Sequence, residues 1–209
     1  MHSHSNIEIP DVDPASLSPL QRVKRRFYAL RNGALADQLR QGGLAYRVNF
    51  GLNIPQIKEI AAETTEWGLT DNDRFALARE LWNNKGTRES QLLAPMLVPV
   101  TDFTPEEAMK WMAEAETSEV ADHLCHSLLR KLPFAGNLIS DTLGETKATT
   151  MQRYTALRLA LALLVAGRLP EPLKAPVKKA SENSLTEPLT ASVARQFLSE
   201  FAFAEEENQ

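Results

Sequence analysis

Residues 46–61, YRVNFGLNIPQIKEIA, run from an irregular segment into one with the periodicity of a helix. Ile57, Ile60 and Ala61 recur at the spacing that places apolar side chains on one face of a helix. An asparagine and a proline precede them, and both residue types favour the start of a helix. The stretch therefore predicts a helix that begins near the proline and ends at Gly68.

The irregular half of this stretch predicts a shaped loop. Gly51 permits a tight turn, because glycine adopts backbone conformations that other residues avoid. Tyr46 and Phe50 are expected to pack the loop against the first pair of helices. An ordinary well-packed interhelical loop explains the same residues.

Helical periodicity extends along nearly the whole chain, and no segment alternates with the two-residue period of a half-buried strand. It predicts an all-α protein of about ten helices joined by short loops. Helix pairs at a spacing of about forty residues indicate a HEAT-like or armadillo-type α-α superhelix. Periodicity alone leaves a globular bundle as the alternative. We expect a disordered tail over residues 1–15, a single HEAT-like domain over 16–204 and an acidic tail over 205–209.

Several helix boundaries follow from capping residues and prolines. Asp71 is expected to cap one helix, and Thr104 to form a reciprocal capping box with Glu107 in another. Pro95 is expected to bend a helix or end it early. A segment rich in proline predicts only one short helix, around Val177–Ser181.

The composition is that of a soluble globular protein, with 43% hydrophobic and 24% charged residues among 209. A single cysteine cannot form an internal disulfide and favours a reducing compartment. The sequence shows neither a secretory signal nor an apolar run long enough to span a bilayer, so we expect a cytoplasmic protein without membrane association. The net charge of -4 argues against binding nucleic acid through the whole surface, but it allows a local basic face.

No motif indicates a cofactor. Glycine-rich nucleotide loops, a Ser-His-Asp order and zinc-binding cysteine pairs are all absent from the sequence. Asp122, Cys125 and His126 lie within one helical turn, but a metal site needs a further ligand from elsewhere. We therefore expect a buried cysteine and a surface histidine, without a metal.

Three segments, in their order and spacing, resemble the AlkD-like DNA alkylation repair family. They are FYALRNGALADQLRQGGLAYRVNFGLNIPQIKEIA (27–61), LARELWNNKGTRESQLLAPMLV (77–98) and EVADHLCHSLLRKL (119–132). The resemblance covers most of the chain, from about Leu20 to Phe201. It implies HEAT-like repeats wrapped around duplex DNA. In active members it also implies excision of cationic alkylated purines, such as 3-methyl and 7-methyl adducts, by hydrolysis of the N-glycosidic bond.

This reaction places modest demands on an enzyme, because a cationic purine is already a good leaving group. A carboxylate near the deoxyribose opposes the positive charge that develops on the sugar, and it can orient the attacking water. Aromatic faces beside it add cation–π attraction. The resemblance implies an aspartate between two tryptophans for these tasks.

Asp122, in SEVADHLCHSLL, occupies the position of the family's catalytic aspartate. Helical geometry turns it away from the apolar stripe of Val120 and Leu124, toward a possible groove. A first-turn residue favoured by the helix dipole is the alternative. The two tryptophan positions of the family hold Ser118 and Gln196 in this sequence.

The remaining aromatic residues do not fill these positions in the sequence. Phe197 neighbours Gln196, but it faces about 100° away on a helix. Trp67 and Trp82 lie in the N-terminal part of the chain, where core packing is the usual explanation. Trp111 precedes the helix of Asp122 and is a candidate to reach the groove, with the core as the alternative.

Candidate phosphate contacts follow from the resemblance and from the distribution of basic residues. Arg153, in MQRYTALR, lies where the family has an arginine that grips the DNA backbone. Further basic residues that could line a DNA-binding groove are Lys85, Arg88, Arg130 and Lys131. A solvated helix surface is the alternative for each of them.

Three functions are compatible with these features. The first is a DNA glycosylase for alkylated purines, with Asp122 as its electrostatic catalyst. The second is a protein of the same fold that binds duplex DNA without catalysis. The third is a HEAT-like scaffold for a protein or peptide partner, and the missing tryptophan pair and the acidic net charge favour the last two.

Overall fold

The computed structural model describes residues 16–44 and 46–207, and these form eleven α-helices. The helices are α1 (Pro19–Ala29), α2 (Gly33–Gln41), α3 (Ile54–Thr65), α4 (Asp71–Asn83), α5 (Arg88–Leu97), α6 (Pro105–Glu114), α7 (Ser118–Ser127), α8 (Ala135–Gly144), α9 (Thr150–Val165), α10 (Glu171–Asn183) and α11 (Ala191–Glu207). The described residues contain no strand, so the all-α prediction is confirmed. The predicted N-terminal tail lies outside the described residues, and α11 continues into the segment predicted as the acidic tail.

The helices pack in two rows. In the first row, each odd-numbered helix from α3 to α9 contacts the next odd-numbered helix, up to α11. In the second row, α6 contacts α8 and α8 contacts α10. Pairing of each helix with the second one along the chain is the arrangement of a helical superhelix built from stacked pairs. A continuous hydrophobic core runs through the array, from Val23 in α1 to Phe201 in α11.

The start of α3 follows the local rules read from the sequence. The Asn53 side chain accepts a hydrogen bond from the backbone N–H of Gln56, and the side-chain oxygen of Gln56 accepts one from the backbone N–H of Asn53. Pro55 lies in the first turn, where its missing N–H costs no helical hydrogen bond. The predicted helix is therefore confirmed, although it ends at Thr65, before Gly68.

The cap of α4 differs from the prediction by one residue. The Thr70 hydroxyl accepts from the backbone N–H of Asp73, and the Asp73 carboxylate accepts from the backbone N–H of Thr70. Asp71 instead lies in the first turn. The prediction that Asp71 caps this helix was wrong, because the threonine before it completes a reciprocal box with a carboxylate three residues on.

The cap of α6 is only half of the predicted box. Thr104 accepts from the backbone N–H of Glu107, as predicted. The Glu107 carboxylate forms an ion pair with Arg79 of α4, so it does not return to the cap. A tertiary partner has replaced the local one.

Proline ends one helix early, as predicted, and interrupts another helix less than the sequence suggests. Pro95 lies inside α5, which ends two residues later at Leu97. The short helix predicted around Val177–Ser181 is part of the longer α10. Pro172 stands in the first turn of α10, where proline is tolerated, and only Pro176 removes an internal hydrogen bond.

The loop before α3, which we call the joint (residues 46–53), requires a glycine at one position. Gly51 has a φ of 72°, and a Cβ there would lie 2.1 Å from the carbonyl oxygen of Asn32. The Phe50 ring packs against Phe27 and Tyr28 of α1, with centroids 5.6 and 5.0 Å away. Phe50 thus packs the loop against the first helices, as predicted.

A buried ion network holds the joint from below. Glu89, at the start of α5, is fully buried and accepts hydrogen bonds from the backbone N–H groups of residues 50–52. The Arg88 guanidinium donates to the carbonyl of Leu52 at 2.8 Å and to the Glu89 carboxylate at 3.3 Å. It also pairs with Glu119 of α7 at 2.5 Å.

Tyr46 extends this connection to α7. Its hydroxyl lies 2.9 Å from the hydroxyl of Thr117, which caps α7 by accepting from the backbone N–H of Val120. The prediction for Tyr46 named only the first pair of helices, and its hydroxyl reaches considerably further. The joint therefore contacts the N-terminus of the helix that carries Asp122.

Candidate functional site

A groove of about 460 Å³ opens between α7, α9 and α11. Its polar lining residues are Asp122, His126, Arg130, Arg158, Gln196, Ser199 and Glu200. Leu161, Ala162 and Val165 of α9 form its apolar side. We call this cavity the Asp122 groove.

Asp122 is held in the groove by residues of α9. Its Oδ1 accepts a hydrogen bond from the Tyr154 hydroxyl at 2.7 Å and lies 3.1 Å from Nε of Arg158. Arg158 also donates to the side-chain oxygen of Gln196 on α11, at 3.4 Å. A chain of polar contacts therefore crosses the groove from α7 through α9 to α11.

The contacts of Asp122 leave one carboxylate oxygen open. Both are made to Oδ1, and no other described residue bonds to Oδ2. Burial raises the pKa of Tyr154 above its usual value, and the Asp122 carboxylate raises it further. Tyr154 consequently remains a protonated donor near neutral pH and fixes the orientation of the carboxylate.

A cluster of cations surrounds one end of the groove. Burial lowers the pKa of His126, and the charges of Arg130, Lys58, Lys131 and Arg158 lower it further. These cations come from α3, from the 3-10 turn after α7 and from α9. They create a local positive field on a protein of net negative charge, which is the kind of surface that attracts phosphate.

The two positions where the resemblance implies tryptophan differ in their relation to the groove. Ser118 is the first residue of α7 and does not line the groove, whereas Gln196 does. Phe197 is fully buried and stacks with Phe201, in agreement with the expectation that it faces away from Gln196.

The three tryptophans belong to other parts of the protein. Trp111 is buried and stacks on Trp82, with centroids 4.3 Å apart and an interplanar angle of 1°. Trp67 lies under the guanidinium of Arg22, 4.1 Å from the ring centroid. The idea that Trp111 reaches the groove was wrong, and among the described residues no phenylalanine, tyrosine or tryptophan lines the groove.

The predicted phosphate contacts are dispersed. Arg130 lines the Asp122 groove, and Lys131 follows it in the chain as an exposed residue. Arg153 is exposed at the start of α9 and donates to the carbonyls of Ala148 and Thr146, outside the groove.

Arg88 and Lys85 also lie outside the groove. Lys85 is partly exposed in the loop between α4 and α5. Arg88 has a side chain only 4% exposed and is committed to Glu89 and Glu119. Its charge therefore serves the interior of the protein and is not presented to a phosphate.

Sequence reasoning missed three residues near Asp122. Arg158 and Tyr154 contact the Asp122 carboxylate directly. Lys58 of α3 adds positive charge near His126, at one end of the groove. A signal for Arg158 exists, since it is the single charge within the apolar run TALRLALALLVAG. A charge in such a run needs a partner or an opening to solvent, and here it has both.

Cys125, which lies one helical turn after Asp122, belongs to the interior of the protein. Cys125 is buried, and its thiol lies 3.4 Å from the carbonyl of Thr155 as a donor, while burial raises the pKa of that thiol. Over the ranges 16–44 and 46–207, no three His, Cys, Asp or Glu side chains are grouped to hold a metal ion. Nor does any helix in those ranges have the length and hydropathy needed to cross a membrane.

Comparison with known proteins identifies the family. A search of the curated proteins and a search of the solved structures each return no match. The profile of a family described as DNA alkylation repair enzyme matches residues 23–156, well over half of the chain. The matched segment includes the joint, the whole of α7 with Asp122, and the first turns of α9. The chain therefore belongs to the DNA alkylation repair enzyme family.

Proposed function

We propose that this protein binds duplex DNA along the Asp122 groove and hydrolyses the N-glycosidic bond of cationic alkylated purines there. The observation that carries the proposal is the half-exposed Asp122 carboxylate, which is fixed through Oδ1 and open at Oδ2. Family membership supports a role in DNA alkylation repair. The acting unit is the helical domain over residues 16–204, and we place it in the cytoplasm.

The chemistry follows from the charge of the substrate. When the C1′–N bond breaks, its electron pair moves to the purine and neutralises the positive charge of the base. The deoxyribose becomes a cation, which the Asp122 carboxylate stabilises at close range. Oδ2 can accept a hydrogen bond from the attacking water, orient it toward C1′ and take up the proton that the water loses as the C1′–O bond forms. Tyr154 and Arg158 keep the carboxylate in place during both steps.

The basic cluster supplies the DNA-binding surface in this proposal. Arg130 lines the groove directly, and Lys131 and Lys58 add positive charge at the same end. Contacts with phosphates position a duplex without reading its sequence. A lesion anywhere in the genome requires this kind of recognition.

The test is release of 7-methylguanine and 3-methyladenine from methylated duplex DNA at low salt, where phosphate-driven binding is strongest. We expect the native protein to release both bases and Asp122→Asn to lower the rate at least about a hundredfold. Asp141→Asn, an exposed aspartate of α8, is the matched control and should retain full activity. Equal rates for the native protein and Asp122→Asn would overturn the assignment of Asp122.

A second candidate function is binding of duplex DNA without catalysis. It is favoured because no phenylalanine, tyrosine or tryptophan of the described residues lines the groove, and because Arg158 neutralises the charge of Asp122. It predicts tight, salt-sensitive binding of duplex DNA with no release of base. A protein that neither binds DNA nor releases base would instead be a scaffold for a protein partner.

A further inference from the structure

A second cavity, of about 300 Å³, lies between α1, the joint and the start of α5. It shares no lining residue with the Asp122 groove. We call it the N-terminal pocket, defined by Lys24, Tyr28, Arg47, Phe50, Asn84 and Ser90. Its chemistry differs from that of the Asp122 groove because it combines cations with aromatic rings.

The N-terminal pocket carries uncompensated positive charge. Lys24 and Arg47 are exposed, and neither forms an ion pair with any described residue. Among the described residues, no acidic side chain lines the pocket. Glu89 lies behind the backbone of Phe50, but it is fully buried and paired with Arg88. An anion in the pocket would therefore meet two cations and no exposed carboxylate.

Tyr28 supplies an aromatic surface next to these cations. The residue is 59% exposed, which is unusual for a residue of this size in a helical protein. The Tyr28 ring is held in place by an edge-to-face contact with the Phe50 ring, with centroids 5.0 Å apart and an interplanar angle of 71°. Lys24 lies one helical turn before Tyr28 on the same face of α1.

A polar group completes the pocket. The side-chain nitrogen of Asn84 donates to the Ser90 hydroxyl at 3.2 Å, which fixes the orientation of the amide. The amide oxygen makes no hydrogen bond within the described residues and can accept one from a ligand. Arg47 lies over Gly86, since a Cβ at that glycine would be 3.3 Å from its Nε.

We infer that the N-terminal pocket binds a nucleotide. The base stacks on Tyr28, the phosphate binds Arg47 and Lys24, and the amide oxygen of Asn84 accepts a hydrogen bond from the edge of the base. Stacking on an aromatic ring beside a cationic backbone contact is how proteins hold single-stranded nucleic acid. A free nucleotide and an unpaired nucleotide of a DNA strand offer the same chemistry. The inference goes beyond the proposed function, because this site lies outside the groove and breaks no bond.

The test is calorimetric titration of the full-length protein with deoxyadenosine 5′-monophosphate, with deoxyadenosine and with deoxyribose 5-phosphate. We expect the nucleotide to bind more tightly than either fragment, since only the nucleotide engages both the ring and the cations. Tyr28→Ala and Arg47→Ala should each weaken nucleotide binding about tenfold. A DNA duplex with a single-stranded overhang and a blunt duplex, titrated in parallel, distinguish a strand from a free nucleotide as the source.

Matched control variants show whether a loss of nucleotide binding is caused by misfolding. Tyr28→Phe keeps the ring and should retain nucleotide binding, and Arg195→Ala removes an exposed arginine from α11 and should have no effect. Asp122→Asn should also leave nucleotide binding in the N-terminal pocket unchanged. The inference about this pocket and the proposal of glycosylase activity can therefore be refuted separately. The inference is overturned if neither the nucleotide nor the overhang binds. It is equally overturned if Tyr28→Ala and Arg47→Ala bind as well as the native protein, or if deoxyribose 5-phosphate binds as tightly as the nucleotide.

Discussion

The ion network beneath the joint and the Asp122 groove each contain an arginine paired with a carboxylate, but the two pairs differ in burial. The side chains of Arg88 and Glu89 are 4% and 0% exposed, whereas those of Arg158 and Asp122 are 36% and 38% exposed. Glu89 also accepts three backbone hydrogen bonds, so its position is fixed by the chain itself.

This difference separates a structural ion pair from one available for function. A buried pair with all its donors and acceptors satisfied resists change, because removing one partner leaves an uncompensated charge in the interior. A half-exposed pair contributes little to stability, because water screens it. Asp122 can therefore exchange its contacts when a ligand arrives, and Glu89 cannot.

The largest expected effect is that of removing the buried carboxylate. Glu89→Ala leaves the backbone N–H groups of Phe50 and Leu52 without an acceptor and takes one carboxylate away from the buried Arg88, so it should lower the free energy of unfolding by about 3–5 kcal/mol. Asp122→Ala, the matched change in the groove, should lower it by less than about 1 kcal/mol. Urea denaturation at neutral pH measures both, and equal losses would refute the distinction between the two pairs.

A glycine pair tests the close approach within the joint. Gly51 and Gly68 have similar φ values of 72° and 70°, but only Gly51 has backbone atoms within reach of an added Cβ. Gly68→Ala should cost about 1–2 kcal/mol for the left-handed conformation alone. Gly51→Ala should cost a further ~1–3 kcal/mol, because Asn32 must move. The difference between their melting curves isolates the contact from the conformational strain.

A histidine on α7, between the two regions, predicts a dependence of stability on pH. The pKa of His123 is lowered from 6.5 to about 4, chiefly by burial and in smaller part by the positive charge of a protonated His126. Because the unfolded chain binds the proton more readily, stability is fully present above pH 6.5 and falls as the pH drops toward 4. His123 should contribute a slope of at most about 1.4 kcal/mol per pH unit between these values.

Urea denaturation over this pH range measures that slope. His123→Gln should flatten it, whereas His126→Gln, at an exposed site on the same helix, should leave most of it. If His123→Gln keeps the full slope, the pH dependence arises elsewhere in the protein.

The smallest expected effect is a change in the salt dependence of DNA binding when one of two arginines, exposed or half-exposed, is replaced. Arg130 lines the Asp122 groove, and Arg153 lies outside it. Arg130→Gln should reduce the salt dependence of duplex binding by about one phosphate contact, and Arg153→Gln should leave it unchanged. Fluorescence anisotropy across a series of salt concentrations gives both slopes. The opposite result would restore Arg153 as the phosphate contact that the family resemblance implies.

Local rules explain what the sequence predicted well. The start of α3 depends on Asn53, Pro55 and Gln56, which are neighbours in the chain, so their hydrogen bonds can be anticipated from spacing. The tight turn at Gly51 follows from a residue type with few alternatives. Periodicity likewise predicted the all-α fold, because burial of one face of each helix is written directly in the order of apolar residues.

Tertiary partners explain what the sequence did not predict. Arginine is a residue type usually found at the surface. The burial of Arg88 depends on its pairing with Glu119, which lies 31 residues further along the chain. The pairing of Arg158 with Asp122 depends on the packing of α9 against α7. Glu107 was assigned to a local cap, but Arg79 of another helix takes it. No spacing rule contains this information.

The parallel stack of Trp82 and Trp111 gives the protein an internal optical probe. Two indole rings stacked in nearly parallel planes, with centroids 4.3 Å apart, have strongly coupled electronic transitions, which change when the rings separate. This signal follows the assembly of α4 against α6. Since neither ring lines the Asp122 groove, DNA in the groove should leave it unaltered. Circular dichroism can therefore monitor folding in the same sample in which anisotropy monitors binding.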